Sequence, residues 1–354
     1  VSGKPLFEVF ADGLWKTGKK YGAPVPWYIM TSPLNHAATV AFFEEHRYFG
    51  LSAGDVRFFP QGVLASLDIR TGKMLMASKG EIATNPDGHG GALRALWESG
   101  AIADMQRRGV EHISYFQVDN PIVKVADPVF LGLHAAAPTS SREMSSKMIP
   151  KAYPEEKLGV FCRVGDRIEV IEYSDLPKER AKETLPDGSL RFLAGSIAVH
   201  ALGVAFVERL NTDAAFELAY HRAEKKVACI DPATGTPVEP KENNAVKLER
   251  FVFDAIAMCR PVKGEPGSIV YETERVEEFA PIKNATGVDS VESSREIQTE
   301  RAARWLESVG VKTPRKDDGK VDAVLEINGR TAVDREDLPR TGVAPIGAGE
   351  RRSV

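Results

Sequence analysis

Cysteine is scarce: the 354 residues hold three, Cys162, Cys229 and Cys259, too few and too scattered for a disulfide framework and without the close pairs of a zinc site. Positive charge is not in excess either. Lys and Arg number 46 against 50 Asp and Glu, a net charge of −4, which excludes a basic nucleic-acid or membrane-binding face and makes any phosphate-binding charge local. The chain lacks the roughly 20-residue apolar run of a membrane helix and the basic-then-apolar start of a signal peptide. It also lacks an initial methionine, opening on Val1 and running into a helical pattern at Leu6. These absences predict a cytoplasmic protein with no nucleic acid and no membrane among its partners, and leave its oligomeric state open.

What is present is a hydrophobic share of 43% and a charged share of 27%, enough for one large core with a smaller attachment. Apolar runs that read as buried strands alternate with segments of helical period, which predicts an α/β fold with a mixed, mainly parallel sheet. Strands are expected at 25–31, 56–59 and 113–118, the last ending on Asp119, with helices at 42–49 and 92–106. Residues 135–157 read as a mobile surface crossing. A hairpin follows about Gly165-Asp166, with Glu172 near its exit. Helices are expected at 196–210, 245–258 and 293–309, the last opened by a capping box at Ser293-x-x-Glu296. Beyond Thr313 the pattern predicts a second hairpin, 324–327 with 330–333, and a frayed tail. The division is therefore 1–312 and 313–354, the latter a small C-terminal β appendage.

Two segments bear chemistry. Asn85-Pro86-Asp87-Gly88-His89-Gly90-Gly91 leads into a helix, so its glycines allow close backbone approach and the helix start supplies free N–H groups to a ligand; the ordinary alternative is a glycine-rich turn. Its spacing fits neither a dinucleotide nor a Walker loop. Asp119, after a strand and before Asn120-Pro121, sits at the sheet edge where α/β folds bind ligands, and a carboxylate there can hold Mg2+ on a triphosphate; alone such a residue is more often a turn residue or helix cap.

From residue 1 to about 285 the chain resembles the eukaryotic-type UDP-N-acetylhexosamine pyrophosphorylases and the wider UDP-sugar pyrophosphorylase group. The matching strings are Pro26–Ser32, Phe58–Gly62, Pro86–Gly91, Val118–Pro121, Glu172–Ser174, Lys247–Asp254 and Phe279–Asn284, in order. The resemblance implies a Rossmann-like nucleotidyltransferase that moves UMP from UTP to a sugar-1-phosphate and releases pyrophosphate, with those two substrates as its partners and Mg2+ as cofactor. By the same resemblance Gln61 and Gly88 hold uracil and Asp119 faces nucleotide and metal. Lys247 binds UTP, Lys283 the sugar phosphate, and Gly159 and Glu172 contact the sugar. Two aromatics spaced by one in a helix cannot both face inward, so one of Phe251 and Phe253 is expected to line the sugar pocket.

Departures from the family pattern are equally informative. No Leu-x-x-Gly-Gly-x-Gly-Thr-Arg-Leu-Gly loop occurs in these residues, which predicts weak UTP binding, an N-terminal truncation and, in place of the lost strand, an unpaired edge or hydrophobic slot. His89 stands where the acetylhexosamine enzymes have asparagine, and Leu193 and Ser196 also replace asparagines. N-acetylglucosamine-1-phosphate is the expected acceptor, with glucose-1-phosphate or a broad sugar range as the alternative. An inactive UDP-sugar-binding sensor is the expectation from another class.

Overall fold

The first helix, α1 (Leu6–Tyr21), buries Phe10, Ala11 and Leu14 at helical spacing and stops at Gly22, whose φ of 76° only glycine adopts readily. This computed structural model describes residues 1–339 and 342–354. Helix α1 covers β1 (Trp27–Thr31), which α2 (His36–Glu45) connects to the parallel strand β2 (Val56–Pro60). Trp27 meets Phe10 and Phe43 edge to face, at 6.5 and 5.5 Å between ring centres, and so joins both helices to the sheet.

The principal elements that follow are, in chain order, α3 (Ala92–Glu98), α4 (Ala101–Arg107), β3 (His112–Tyr115), α5 (Pro128–Ala136), β4 (Met144–Pro150), β5 (Val160–Val164), β6 (Arg167–Ile171), β7 (Ala194–Gly203), α6 (Val204–Thr212), β8 (His221–Lys225), β9 (Ala245–Glu249), β10 (Val270–Glu272), α7 (Arg275–Glu278), α8 (Val291–Ser308), β11 (Ala323–Glu326) and β12 (Glu350–Ser353), besides shorter strands and turns of helix. Six strands form the central sheet in the order β6-β5-β7-β4-β10, with β3 also on β7. The α/β class holds and the sheet is mixed. Its parallel share is smaller than alternation suggests, because β7 runs antiparallel to β3, β4 and β5. Parallel pairs are β1 with β2, β4 with β10, and β11 with β12.

Several expected elements change identity. Residues 144–150, expected in a surface crossing, are a central strand, because each polar side chain finds a buried partner: Ser145 meets His134 at 2.9 Å, Ser146 meets His200 at 2.8 Å, and Lys147 meets Asp127 and Glu278 at 2.6 Å each. The expected helix 196–210 is β7 followed by α6; a strand buried on both faces is a continuous apolar run that periodicity cannot separate from a helix. Residues 245–258 likewise divide into β9, paired with β8, and a 3-10 segment at Val252–Met258. The 92–106 helix is broken at Gly100, φ 74°. Helix α8 is capped by Ser290 with Ser293 in a reciprocal box, three residues earlier than expected. The hairpin at Gly165 is as expected.

Among the described residues the C-terminal segment forms no second hairpin. Strand β11 pairs in parallel with β12 at the chain end, Asn328 donates to the Val354 carbonyl at 2.6 Å, and the tail is a strand instead of frayed. Leu325, Ala332, Leu338 and Ile346 share an apolar cluster with Ala302, Ala303, Trp305 and Leu306 of α8. Among the described residues no helix is long and apolar enough to cross a membrane.

Between β1 and β3 the sheet is open. Among the described residues β1 pairs only with β2 and β3 only with β7, and a cavity of about 510 Å³ lies between, lined by Trp27, Ile29, Met30, Ile113, Tyr115 and the helix residues Leu14 and Leu96. This is the hydrophobic slot expected from the sequence. Asp119 and His89 are among the residues that line it.

Candidate functional site

The glycine-rich turn 88–91 packs on the exit of β9. A Cβ on Gly90 would lie 2.7 Å from the Phe251 nitrogen, and one on Gly88, φ 89°, would lie 2.5 Å from the Arg250 carbonyl. These glycines therefore allow backbone to meet backbone, a need the sequence alone cannot distinguish from close approach to a ligand. Gly90 N–H donates to Arg250 O at 2.8 Å, and Arg250 N–H to Asp87 O at 2.8 Å. With its amide oriented to satisfy its neighbours, Gln61 donates to the Gly88 carbonyl at 3.0 Å and to Asp87 at 3.2 Å, leaving its oxygen as the group it can offer a ligand. Gln61 and Gly88 thus meet. Lys247 lies in β9, two residues before Glu249, whose Cβ is 3.1 Å from where a Gly88 Cβ would be, so its stem leaves the same face of the strand.

The sugar-assigned residues gather at the other side of this turn. Because 251–253 are not α-helical, both Phe251 and Phe253 turn toward His89, with ring centres 5.0 and 5.9 Å from its own. The constraint that only one could face inward falls with the helix. Gly159 adjoins Glu172: a Cβ there would lie 2.7 Å from the Glu172 carboxylate. Burial pushes the Glu172 carboxyl upward, against the opposing charges of His221 and Lys283. Leu193 stands apart, leading into β7, with its carbonyl taken by Lys151 N–H at 2.9 Å. Ser196, next to Gly159 through a 2.8 Å backbone bond, has a sealed hydroxyl without a partner.

Asp119 and Lys283 come from segments 164 positions apart and meet at 3.6 Å. The alignment is built from backbone. Ile282 N–H donates to Asp119 O at 2.9 Å, while buried Asn120 donates to Glu278 O at 2.6 Å and accepts from Ala280 N–H at 3.1 Å. Strand β3 stops at Tyr115 and leaves Asp119 on an irregular exit, because its partner β7 bulges between Ser196 and His200, where Ala198 has φ 54°. Asn120 belongs to this machinery and was visible only as part of a matching string. Asp254 was visible in the same way, whereas its partner at 2.8 Å, His221, lay in no matching string; a lone His in an exposed-looking strand carries no signal of its own.

Three histidines are neutral by environment. Burial, reinforced by the charges of His221 and Lys283, pushes His89 down to about 4. Burial likewise pushes His134 down to about 4 and His200 to about 3. The His200 Nε2 is sealed without a partner. Each folded-state value lies below the roughly 6.5 of an unfolded histidine, so the unfolded chain binds more protons in between. Stability is therefore full above about pH 6.5 and falls as the pH drops toward 4. Urea midpoints taken from pH 7.5 to 5 are expected to decline, and less steeply in His200→Gln; a flat profile in the parent would contradict these burials.

A family model described as UTP–glucose-1-phosphate uridylyltransferase matches residues 2–304. The chain is 36% identical over 310 residues to UDP-N-acetylhexosamine pyrophosphorylase-like protein 1 of Xenopus tropicalis, covering 86% of this chain and 58% of that protein. It is 36% identical over 314 residues to UDP-N-acetylglucosamine pyrophosphorylase of Saccharomyces cerevisiae, covering 87% and 64%. The crystal structure of the Trypanosoma brucei uridine diphosphate N-acetylglucosamine pyrophosphorylase superposes with a TM-score of 0.79 at 26% identity, over 95% of this chain and 68% of that one. The chain thus spans about three fifths of the curated relatives it matches.

Proposed function

The chain belongs to the UTP–glucose-1-phosphate uridylyltransferase family, and from that premise we propose that it serves transfer of UMP from UTP to N-acetylglucosamine-1-phosphate, with release of pyrophosphate. The observation that carries this reading is the meeting of Asp119 and Lys283 at 3.6 Å, two separate segments aligned by Asn120 beside Glu172 and His89. The catalytic unit is taken as 1–312, with 313–354 as an appendage anchored on α8.

In the proposed reaction an oxygen of the sugar phosphate attacks the α-phosphorus of UTP in line, and the bond from that phosphorus to the β-phosphate oxygen breaks. Two anions must approach, so positioning and neutralisation matter more than covalent help. Lys283 holds the incoming phosphate, Lys247 the triphosphate, and Gln61 with Gly88 the uracil edge. Glu172 accepts from sugar hydroxyls; Gly159 leaves room for it, and Phe251 and Phe253 line the pocket.

Among the described residues no cluster of three or more His, Cys, Asp or Glu gathers as a metal cage. A lone carboxylate fits Mg2+ nonetheless, since this ion takes one or two carboxylates together with substrate phosphates and water. Asp119, its side chain 27% exposed, is that carboxylate. Bound there, Mg2+ would supply charge neutralisation on the phosphates.

Glucose-1-phosphate is the second reading, favoured by one observation. Val252 N–H donates to the His89 Nδ1 at 3.2 Å, so neutral His89 carries its proton on Nε2 and offers a donor only, where asparagine would offer both roles. Pyrophosphate release with a panel of sugar-1-phosphates, with the glycine-rich loop restored, tests the activity and separates the acceptors; release with none would contradict the reading. In thermal-shift titration these 354 residues, lacking the glycine-rich loop, are expected to be stabilised more by UDP-N-acetylglucosamine than by UTP at equal concentration.

A further inference from the structure

Phe251 is gripped on both faces. The His89 ring lies 5.0 Å from it at 14°, and the His221 ring lies 4.3 Å away on a 27° tilt. Each imidazole is in turn anchored by the segment that carries Phe251. Val252 N–H donates to His89, and Asp254 pairs with the His221 Nε2 at 2.8 Å. The segment therefore holds the two rings that hold its own phenylalanine.

The backbone explains why such a clamp is needed. Strand β9 pairs with β8 as far as Glu249, opposite His221, and then leaves the ladder. Phe251 lies two residues beyond in extended backbone, φ −116° and ψ 134°, before the 3-10 segment begins. No ladder bond fixes its direction. The His221 side chain, projecting from the first position of β8, supplies the missing support.

We infer that His221, held by Asp254, is a positioning residue that fixes Phe251 as a wall of the acceptor-sugar pocket and thereby sets selectivity for the sugar; this rests on the sugar-binding reading above. With both faces covered, Phe251 can present only its edge. An aromatic edge carries partial positive charge and meets oxygen, whereas an open face meets the C–H groups of a sugar ring. A clamped Phe251 thus favours an acceptor with an oxygen directed at the ring edge and denies face stacking to others.

Two measurements on the full chain test this. The first is NMR of ¹³C-phenylalanine-labelled, ligand-free protein. Loss of the His221 ring current in His221→Ala is expected to shift the Phe251 ring signals, and His221→Phe, which keeps a flat ring there, to retain a ring-current-shifted position. Unchanged Phe251 signals in His221→Ala would overturn the positioning role whether or not any ligand binds. The second is the ratio of UDP-N-acetylglucosamine to UDP affinity by calorimetry. His221→Ala is expected to lower that ratio by about tenfold, with UDP affinity itself unchanged and with His221→Phe restoring most of it. A ratio unmoved in His221→Ala overturns the selectivity role. A parent chain that binds neither ligand contradicts the sugar-binding reading instead, and with it the selectivity role, while the NMR result still decides the positioning role.

Discussion

Replacing Lys283 by Ala is expected to lower sugar-1-phosphate-dependent pyrophosphate release by about 10²–10³-fold, the usual effect of removing one group aimed at transition-state charge, with little change in the urea midpoint. The asymmetry follows from where the side chain sits. Its ammonium is 45% exposed and 3.6 Å from Asp119, so the pair contributes little to folding. The backbone that aligns the two segments is untouched: Ile282 N–H still reaches Asp119 O, and Lys283 N–H still reaches Asp289 O at 2.7 Å. Asp119→Asn is expected to lower activity as well, and the double variant less than the product of the singles, because both act on the same phosphates. A Lys283→Ala protein with parental turnover would remove Lys283 from the site; one that lost stability in step with activity would make the residue structural.

The family was more legible in the sequence than the course of the strands. Short strings such as Val118–Pro121 and Phe279–Asn284 mark the family because they combine charge, asparagine and proline in ways a core rarely needs, and Asp119 and Lys283 do meet. The strands were harder. Residues 196–203 are apolar on both faces because β7 is buried on both, and such a run has no period to read. Residues 144–150 misled in the opposite sense: Ser, Ser and Lys look solvated until His134, His200, Asp127 and Glu278 arrive from elsewhere in the chain. Phe251 and Phe253 were expected in a helix with one facing inward, and both turn toward His89 instead, since their directions depend on where β9 leaves β8. His221 shows the same limit, because its role depends on a ring thirty residues later.

Lys147→Met is expected to be the most destabilising single change, about 3–5 kcal/mol at pH 7 by urea denaturation, the range for breaking a buried ion pair from one side. Lys147 is fully buried in β4, and its ammonium lies 2.6 Å from both Asp127 and Glu278, themselves almost wholly buried. Methionine matches the stem but leaves two carboxylates facing each other in apolar surroundings, one with an oxygen already sealed and unpartnered. Burial alone would raise the Asp127 carboxyl, but the Lys147 charge and hydrogen bond outweigh it and hold the group below its ordinary value of about 3.9. A depressed carboxyl contributes stability above its unfolded value and loses it as the pH falls through the folded one. The gap between parent and Lys147→Met should therefore be full at neutral pH and narrow below about pH 4. The consequence reaches the site, because Asp127 caps α5 just after the Asp119 loop and Glu278 ends α7 just before Lys283. One buried ammonium ties β4 to the roots of both segments that carry Asp119 and Lys283. A gap under about 1 kcal/mol at pH 7, the level of a surface pair, would show that these charges are hydrated and that the two segments are held by the Asn120 and Ile282 bonds without them.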